Sequence, residues 1–219
     1  MSLQHSPSIV TNGLVLCLDA ANKKSYSGSG NTWIDLSGNG RNAILANSPT
    51  YSSANSGFLT FDGATQTANV SNWNILTGNP SFSYCHWFIK YNNNGSDWLS
   101  YGSNGTYSEN QFGIYNSTLG ALQNGFQVAV PVSAITSGIW YHGSVTHDGT
   151  TTKLYINGGL VASGTATYTF SSSSLSIGGA IQGGYFGNVS LSQILYYNRT
   201  LSAAEIQQNF NALRGRYGI

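Results

Sequence analysis

WYHGSVTHDGTTTKLYINGG, residues 140–159, decides how this chain is read. Two runs here, 139–146 and 152–156, are rich in the β-branched and aromatic residues that suit a pleated, half-buried surface. Between them His147-Asp148-Gly149-Thr150 reads as a turn, with glycine where a positive φ is needed. Asn157-Gly158 follows, then a third run at 160–163. Asn-Gly between two strand-forming runs signals a two-residue hairpin, because both central residues of a type I′ turn need positive φ. The stretch predicts a meander of three antiparallel strands.

The flanking sequence continues the pattern. GLVLCLD, 13–19, predicts a strand with Leu14, Leu16 and Leu18 on one face by the two-residue period. SFSYCHWFIKY, 81–91, predicts a longer one, with Phe82, Tyr84, His86 and Phe88 facing one way and Cys85, Trp87 and Ile89 the other. Both faces are apolar enough for a central strand between two packed layers. Residues 98–101, 111–115 and 125–130 read as three shorter strands, 173–177 as another, 178–187 as a glycine-rich connection, and 189–197 as the last long strand. Residues 202–214 read as a helix: Ser202 and Glu205 form a capping box and Leu201 with Ile206 a hydrophobic staple. Ile206, Phe210 and Leu213 share one face, and Gly215 is the expected stop.

Composition agrees. Only 7% of residues are charged, against about 25% in ordinary soluble domains, and Gly, Ser, Thr and Asn take their place. A net charge of +1 without a basic patch argues against nucleic acid as a partner. No stretch is long and apolar enough to predict a membrane span. The amino terminus shows neither the basic nor the apolar region of a signal peptide, so a chain made in the cytoplasm without a leader is expected. Cys17 and Cys85 are compatible with one disulfide, but buried free thiols are the expectation, since disulfide frameworks belong to smaller secreted folds. Asn-x-Ser/Thr triplets, at Asn69 and five other positions, are what chance produces in a chain this rich in those residues.

Four blocks carry a resemblance: GLVLCLDAAN with WIDLSGNGRNAIL at 33–45, FLTFDG at 58–63, the Trp-aromatic-His and Lys-Leu-Tyr-Ile-Asn-Gly pair at 140–158, and YNRTLSAAEI at 197–206. In this order they resemble the laminin-G-like, concanavalin A-like lectin/glucanase jelly-roll domains, of the style found in tailed-phage structural proteins. The resemblance implies an all-β, two-sheet antiparallel β-sandwich with a short C-terminal α-helix. An arm at 1–12 would precede one domain at 13–219.

Because relatives include glucan hydrolases, catalysis comes first. Retaining hydrolysis needs two carboxyls about 5–5.5 Å apart, two residues apart on one strand face. None of the seven acidic residues (Asp19, Asp35, Asp62, Asp97, Glu109, Asp148, Glu205) is two from another, and no catalytic residue is assigned. Cys85 and His86 are strand neighbours on opposite faces. His142 reads as packing, and His147-Asp148 as turn chemistry. Many relatives bind calcium at the sandwich rim, which makes Asp19, Asp35, Asn39 and Asp62 the candidate ligands. The alternative is that these residues cap turns through their own backbone.

Sugar binding needs aromatic faces against a ring, with amides and hydroxyls for its OH groups. Trp73, Trp98, Tyr101, Tyr107, Tyr115, Tyr185 and Phe186 have loop-like or short-strand contexts; Trp98 and Tyr101 come first and Tyr185 second. The expected role is non-enzymatic. One reading is a virion surface protein, a capsid decoration or fibre tip, partnered by capsid, tail or fibre proteins and by a cell-surface or environmental glycan, assembling as a homo-oligomer. The alternative is a stand-alone extracellular lectin, and a glycan hydrolase comes third.

Overall fold

The computed structural model describes residues 7–91, 97–103, 111–115, 118–122, 126–131, 135–170, 174–180 and 185–219. For 97–103 and for Gln111, Tyr115, Leu122, Phe126, Gln127, Pro131, Ala180 and Tyr185 it describes the backbone alone. In chain order the strands are β1 (Leu14–Asp19), β2 (Thr32–Trp33), β3 (Ala43–Ala46), β4 (Thr50–Ser52), β5 (Phe58–Asp62), β6 (Thr67–Ser71), β7 (Phe82–Lys90), β8 (Asp97–Ser103) and β9 (Gln111–Tyr115). After them come β10 (Thr118–Leu122), β11 (Phe126–Pro131), β12 (Tyr141–His147), β13 (Thr151–Ile156), β14 (Gly159–Thr165), β15 (Ser174–Ile177), β16 (Gly179–Ala180), β17 (Tyr185–Phe186) and β18 (Asn188–Tyr197), and finally helix α1 (Ala203–Leu213).

Two antiparallel sheets form the sandwich. The first runs β14-β13-β12-β7-β18-β5-β4, with β1 also on β18; the second runs β11-β10-β9-β8-β15-β6-β3-β2. Strand β18 is long enough to hold two partners on one side: Asn188–Leu191 pair with β5, and Gln193–Tyr197 with β1. The predicted meander is β12-β13-β14, and Asn157 and Gly158 both take positive φ at its turn (49° and 81°). Leu16, Leu59, Phe82, Phe88 and Ile194 from the first sheet meet Trp33, Val70, Phe112, Leu175 and Ile177 from the second in one buried cluster. Strand β7 is buried along its whole length. Phe82, Tyr84 and Phe88 point into the sandwich, while Cys85, Trp87 and Ile89 enter two further clusters on the outer face, as the alternation predicts.

Several expectations are corrected. Leu14 does not share a face with Leu16 and Leu18: a bulge between Leu14 and Leu16 turns it toward the outer cluster of Cys17 and Leu195. The segment read as three strands holds four, because β10 (TLGAL) pairs on both sides. Its Gly120 hid it from a strand pattern, yet a Cβ there would clash with the Val128 carbonyl oxygen, so close pairing with β11 demands glycine. Strands β4 and β6 are also added; they are short, and β6 buries only small apolar side chains, Ala68 and Val70, toward the core. The connection at 178–187 carries the two-residue pair β16–β17. Helix α1 does not stop at Gly215: a 3₁₀ turn, Arg214–Arg216, continues it, and the first positive-φ glycine afterwards is Gly218 (74°).

Candidate functional site

The outer face of the first sheet is covered over its centre by the amino-terminal segment and the carboxyl-terminal helix, with a hollow of about 330 Å³ left between Thr146, Lys153 and Ser202. Val10 donates to Asn209 Oδ1 (2.8 Å), and its carbonyl accepts from the Tyr197 hydroxyl (2.9 Å). Val10, Cys17, Cys85, Leu195, Tyr197, Leu201 and Ile206 form one cluster, and Trp87, Ile89, Trp140, Phe210 and Tyr217 a second. Trp87 stacks on Tyr217 with centroids 4.1 Å apart. His142 packs against Trp87 and Phe210, the structural role expected of it. The capping box forms as predicted, with Glu205 Nα 3.2 Å from Ser202 Oγ and Ser202 Nα 2.9 Å from Glu205 Oε2. Arg199 adds an ion pair to Glu205; that guanidinium, then the Ser202 amide, hold the Glu205 carboxyl down at about 2.

The remaining described carboxylates also face the chain's own donors. Asp35 accepts from the amides of Cys17 and Ser37 on one oxygen and from Ser37 Oγ and the Arg41 amide on the other. Asn39 joins the same loop, donating to Ser37 Oγ at 2.9 Å. Asp62 accepts three amides (Ala64, Thr65, Gln66), and these hold its carboxyl below the usual range. Asp148 caps its turn through Thr150 and Thr151. Asp19 is ion-paired to Arg216. Of the four calcium candidates, the fold brings only Asp35 and Asn39 together. At Asp35 and Asp19 donors reach both oxygens, so a cation there would have to displace one, whereas the three amides on Asp62 all reach Oδ1. Among the described residues no three His, Cys, Asp or Glu side chains are grouped to hold a metal.

The second sheet is different: Ile44 (48% exposed) and Ser71 stand open on its outer face. Backbone register aligns Ile44 with Asn69, Asn69 with Ser176, Ser176 with Tyr101 and Tyr101 with Gln111, one row across five strands. Ser176, 5% exposed, occupies the middle of this row with Tyr101 on the next strand, and Trp98 pairs with Gly113 on the strands that carry Tyr101 and Gln111. Tyr185 is on β17 opposite Ala180, in a two-strand pair that adjoins β8. Of Trp98, Tyr101 and Tyr185 the backbone alone is described, and Tyr107 lies outside the described residues. Trp73 does stand in the irregular segment after β6, but its ring is turned into the core, 2% exposed and edge-on to Tyr196, so it is no binding aromatic. At the near end of the row, Asn39, Arg41, Asn42, Ile44, Ser71 and Asn72 line a hollow of about 430 Å³.

A second cleft, of about 510 Å³, opens where the sheet edges β4 and β2–β3 meet, under the loop at 20–31. Tyr26, Tyr51, Asn31, Ser48 and the backbone of Gly28 and Gly30 line it. The Tyr26 and Tyr51 rings are 5.4 Å apart at 56°. Asn47 and Ser48 both take left-handed backbone conformations (φ 58° and 55°), at a cost of about 1–3 kcal/mol each. Sequence reasoning passed over Tyr26 and Tyr51, since strands β2 and β3 and the loops around them separate the two and neither stands in a recognisable motif.

The profile of the family described as "Concanavalin A-like lectin/glucanases superfamily", Laminin_G_3, matches residues 62–207. Comparison with curated protein sequences gives no match. Among solved structures, the chain is similar to the receptor binding domain of botulinum neurotoxin C/D mosaic serotype (TM-score 0.70, 15% identity, 92% of this chain and 51% of that one). It is similar to Trypanosoma rangeli sialidase in complex with sialic acid (TM-score 0.71, 18% identity, 94% of this chain and 34% of that one). A third match is botulinum neurotoxin type C, whose cell entry is described as dependent upon interaction with two ganglioside molecules (TM-score 0.67, 17% identity, 93% and 52%). The chain thus spans about half the length of the toxin chains and a third of the sialidase, and at these identities the likeness shows the fold.

Proposed function

The chain belongs to the concanavalin A-like lectin/glucanase superfamily, and from that premise we propose that it is a non-catalytic carbohydrate-recognition domain binding through the outer face of its second sheet. The observation that carries this is the contrast between the two outer faces. One is covered over its central strands by the amino-terminal segment and the carboxyl-terminal helix, which leave only the smaller hollow beside Lys153. The other presents Asn69 and Ser71 beside an amide-lined hollow, with Tyr101 two strands along the register row from Asn69. Amides and hydroxyls of this kind bond sugar OH groups, and uncharged surface suits neutral glycans. The association of structural neighbours with sialic acid and gangliosides agrees with a glycan partner. Hydrolysis is disfavoured because every described carboxylate side chain is committed to an amide, a hydroxyl or a guanidinium. The test is a glycan array of the multivalent domain, with calcium and again with chelator. Specific binding, lost in Trp98→Ala or Tyr101→Ala while the fold survives, is expected; no binding by folded protein sinks the reading. Binding abolished by chelator would bring back a calcium site at Asp35 and Asn39.

A second reading, assembly into a virion surface, is favoured by the edge strand β14. It is uncharged and mostly exposed, with Leu160 at 55% and Val161 at 43%. Such an edge is open to pairing with another chain. Its partners would be capsid, tail or fibre proteins, in keeping with the style of the terminal segments. Absence of the chain from purified particles would end that reading.

A further inference from the structure

We infer that the cleft between Tyr26 and Tyr51 is a separate sugar subsite selective for a carboxylate-bearing monosaccharide unit, an inference that rests on the glycan-binding reading above. The cleft's size suits one or two sugar rings. Its floor is aromatic, with Tyr51 half-buried and Tyr26 beneath it. Its rim carries the exposed polar side chains of Asn31 and Ser48. Two glycines bring bare backbone to the lip. A Cβ on Gly28 would press on the Tyr51 ring at 3.2 Å, whereas Gly30 has open space around it.

Charge gives the selectivity. No carboxylate lines the cleft. The Lys23 ammonium stands 5.7 Å from the Tyr51 ring centroid, and 3.7 Å from where a Gly28 Cβ would lie. It donates to the Ser27 carbonyl at 3.3 Å, which leaves two of its three protons for a ligand. A sugar resting on Tyr51 therefore meets one cation and no anion. The walls are built before any ligand arrives. The Tyr26 hydroxyl holds the Gly30 carbonyl (2.9 Å), Asn47 Nδ2 holds the Thr65 carbonyl (2.8 Å), and Gln66 Nε2 holds the Ser48 carbonyl (3.1 Å). The last two contacts pin the left-handed pair, Asn47 and Ser48, that carries Ser48 into the rim.

The experiment is amide-resolved NMR titration of the intact chain with glucuronate, N-acetylneuraminate and glucose. The expected result is saturable shifts at Gly28, Gly30 and Asn31 with the two acidic sugars, and weaker ones with glucose. Lys23 is exposed, so Lys23→Gln keeps the fold; it should weaken the acidic sugars about three- to tenfold and leave glucose unchanged. Acidic sugars that leave these amides unmoved, or bind equally to Lys23→Gln, overturn the subsite. Saturable shifts confined to Ile44, Asn69 and Ser176 overturn it while the second-sheet reading stands. No saturable shift with any sugar, together with a silent glycan array, overturns both.

Discussion

Arg216 closes the C-terminal turn onto the first strand: its Nη1 lies 2.8 Å from Oδ1 and 3.1 Å from Oδ2 of Asp19. The two side chains are only 20% and 9% exposed. Removing the guanidinium leaves a buried carboxylate with only the Ala21 amide and Gln193 beside it. Arg216→Ala should therefore destabilise the fold by about 2–4 kcal/mol in urea unfolding. Asp19→Asn in the same chain should recover part of that loss. If Asp19 instead ligated calcium in solution, Arg216→Ala would raise calcium affinity, and calorimetry would show it.

Acid should unfold this protein through two histidines. Burial pushes His86 and His142 down to about 3, and His142 lowers His86 further. Neither ring nitrogen of His86 has a hydrogen-bond partner among the described residues, and its neighbours are Tyr84, Phe112 and Tyr196. The folded values lie below the unfolded one near 6.5, so the unfolded chain binds the extra protons. Stability is full above pH 6.5 and falls between 6.5 and 3, by about 1.4 kcal/mol per pH unit for each histidine. His86→Leu should remove its own share of that slope and leave those of His142 and His147, which burial also lowers. It should also stabilise the neutral protein by about 1–2 kcal/mol, because it removes an unsatisfied buried polar group. A pH series of thermal melts that leaves the mutant parallel to the parent would refute this.

Cys17 and Cys85 should stay unbridged and unreactive. Both are free and buried, and both are register partners of Leu195, so strand β18 lies between them. Burial pushes the Cys17 thiol up to about 12 and the Cys85 thiol up to about 11, far from the thiolate that reacts. A thiol reagent should label neither cysteine in native protein and both in denaturant. Reducing agent should leave the melting temperature unchanged.

The capping box offers a smaller, local test. Ser202→Ala should cost about 1 kcal/mol, and Glu205→Gln should cost more than a cap alone because Arg199 loses its partner. The Glu205 carboxyl titrates at about 2 in the folded chain. That depressed value means its contribution is present above the ordinary carboxylate range and is lost as pH falls from about 4.5 toward 2. Glu205→Gln should therefore flatten the stability profile only in that lower window. Flattening above pH 5 would contradict the assignment.

The sequence alone determined what depends on neighbours along the chain. The Asn157-Gly158 turn, the alternation along β7 and the Ser202–Glu205 cap each follow from the backbone and side chains of a few consecutive residues. Four ordered blocks added the jelly roll. Short-range physics did not reveal which face of β7 meets the opposite sheet and which the helix, because both faces are equally apolar. It could not separate Trp73, sunk in the core, from aromatics on strands, since the residues flanking both are the same Asn, Ser and Gly. The bulge that turns Leu14 outward, the ion pair between Asp19 and Arg216, and the meeting of Tyr26 with Tyr51 were settled only when the two sheets packed. Each is a contact between segments whose separation along the chain carries no local signal, and burial alone selects among the pairings that local structure leaves open.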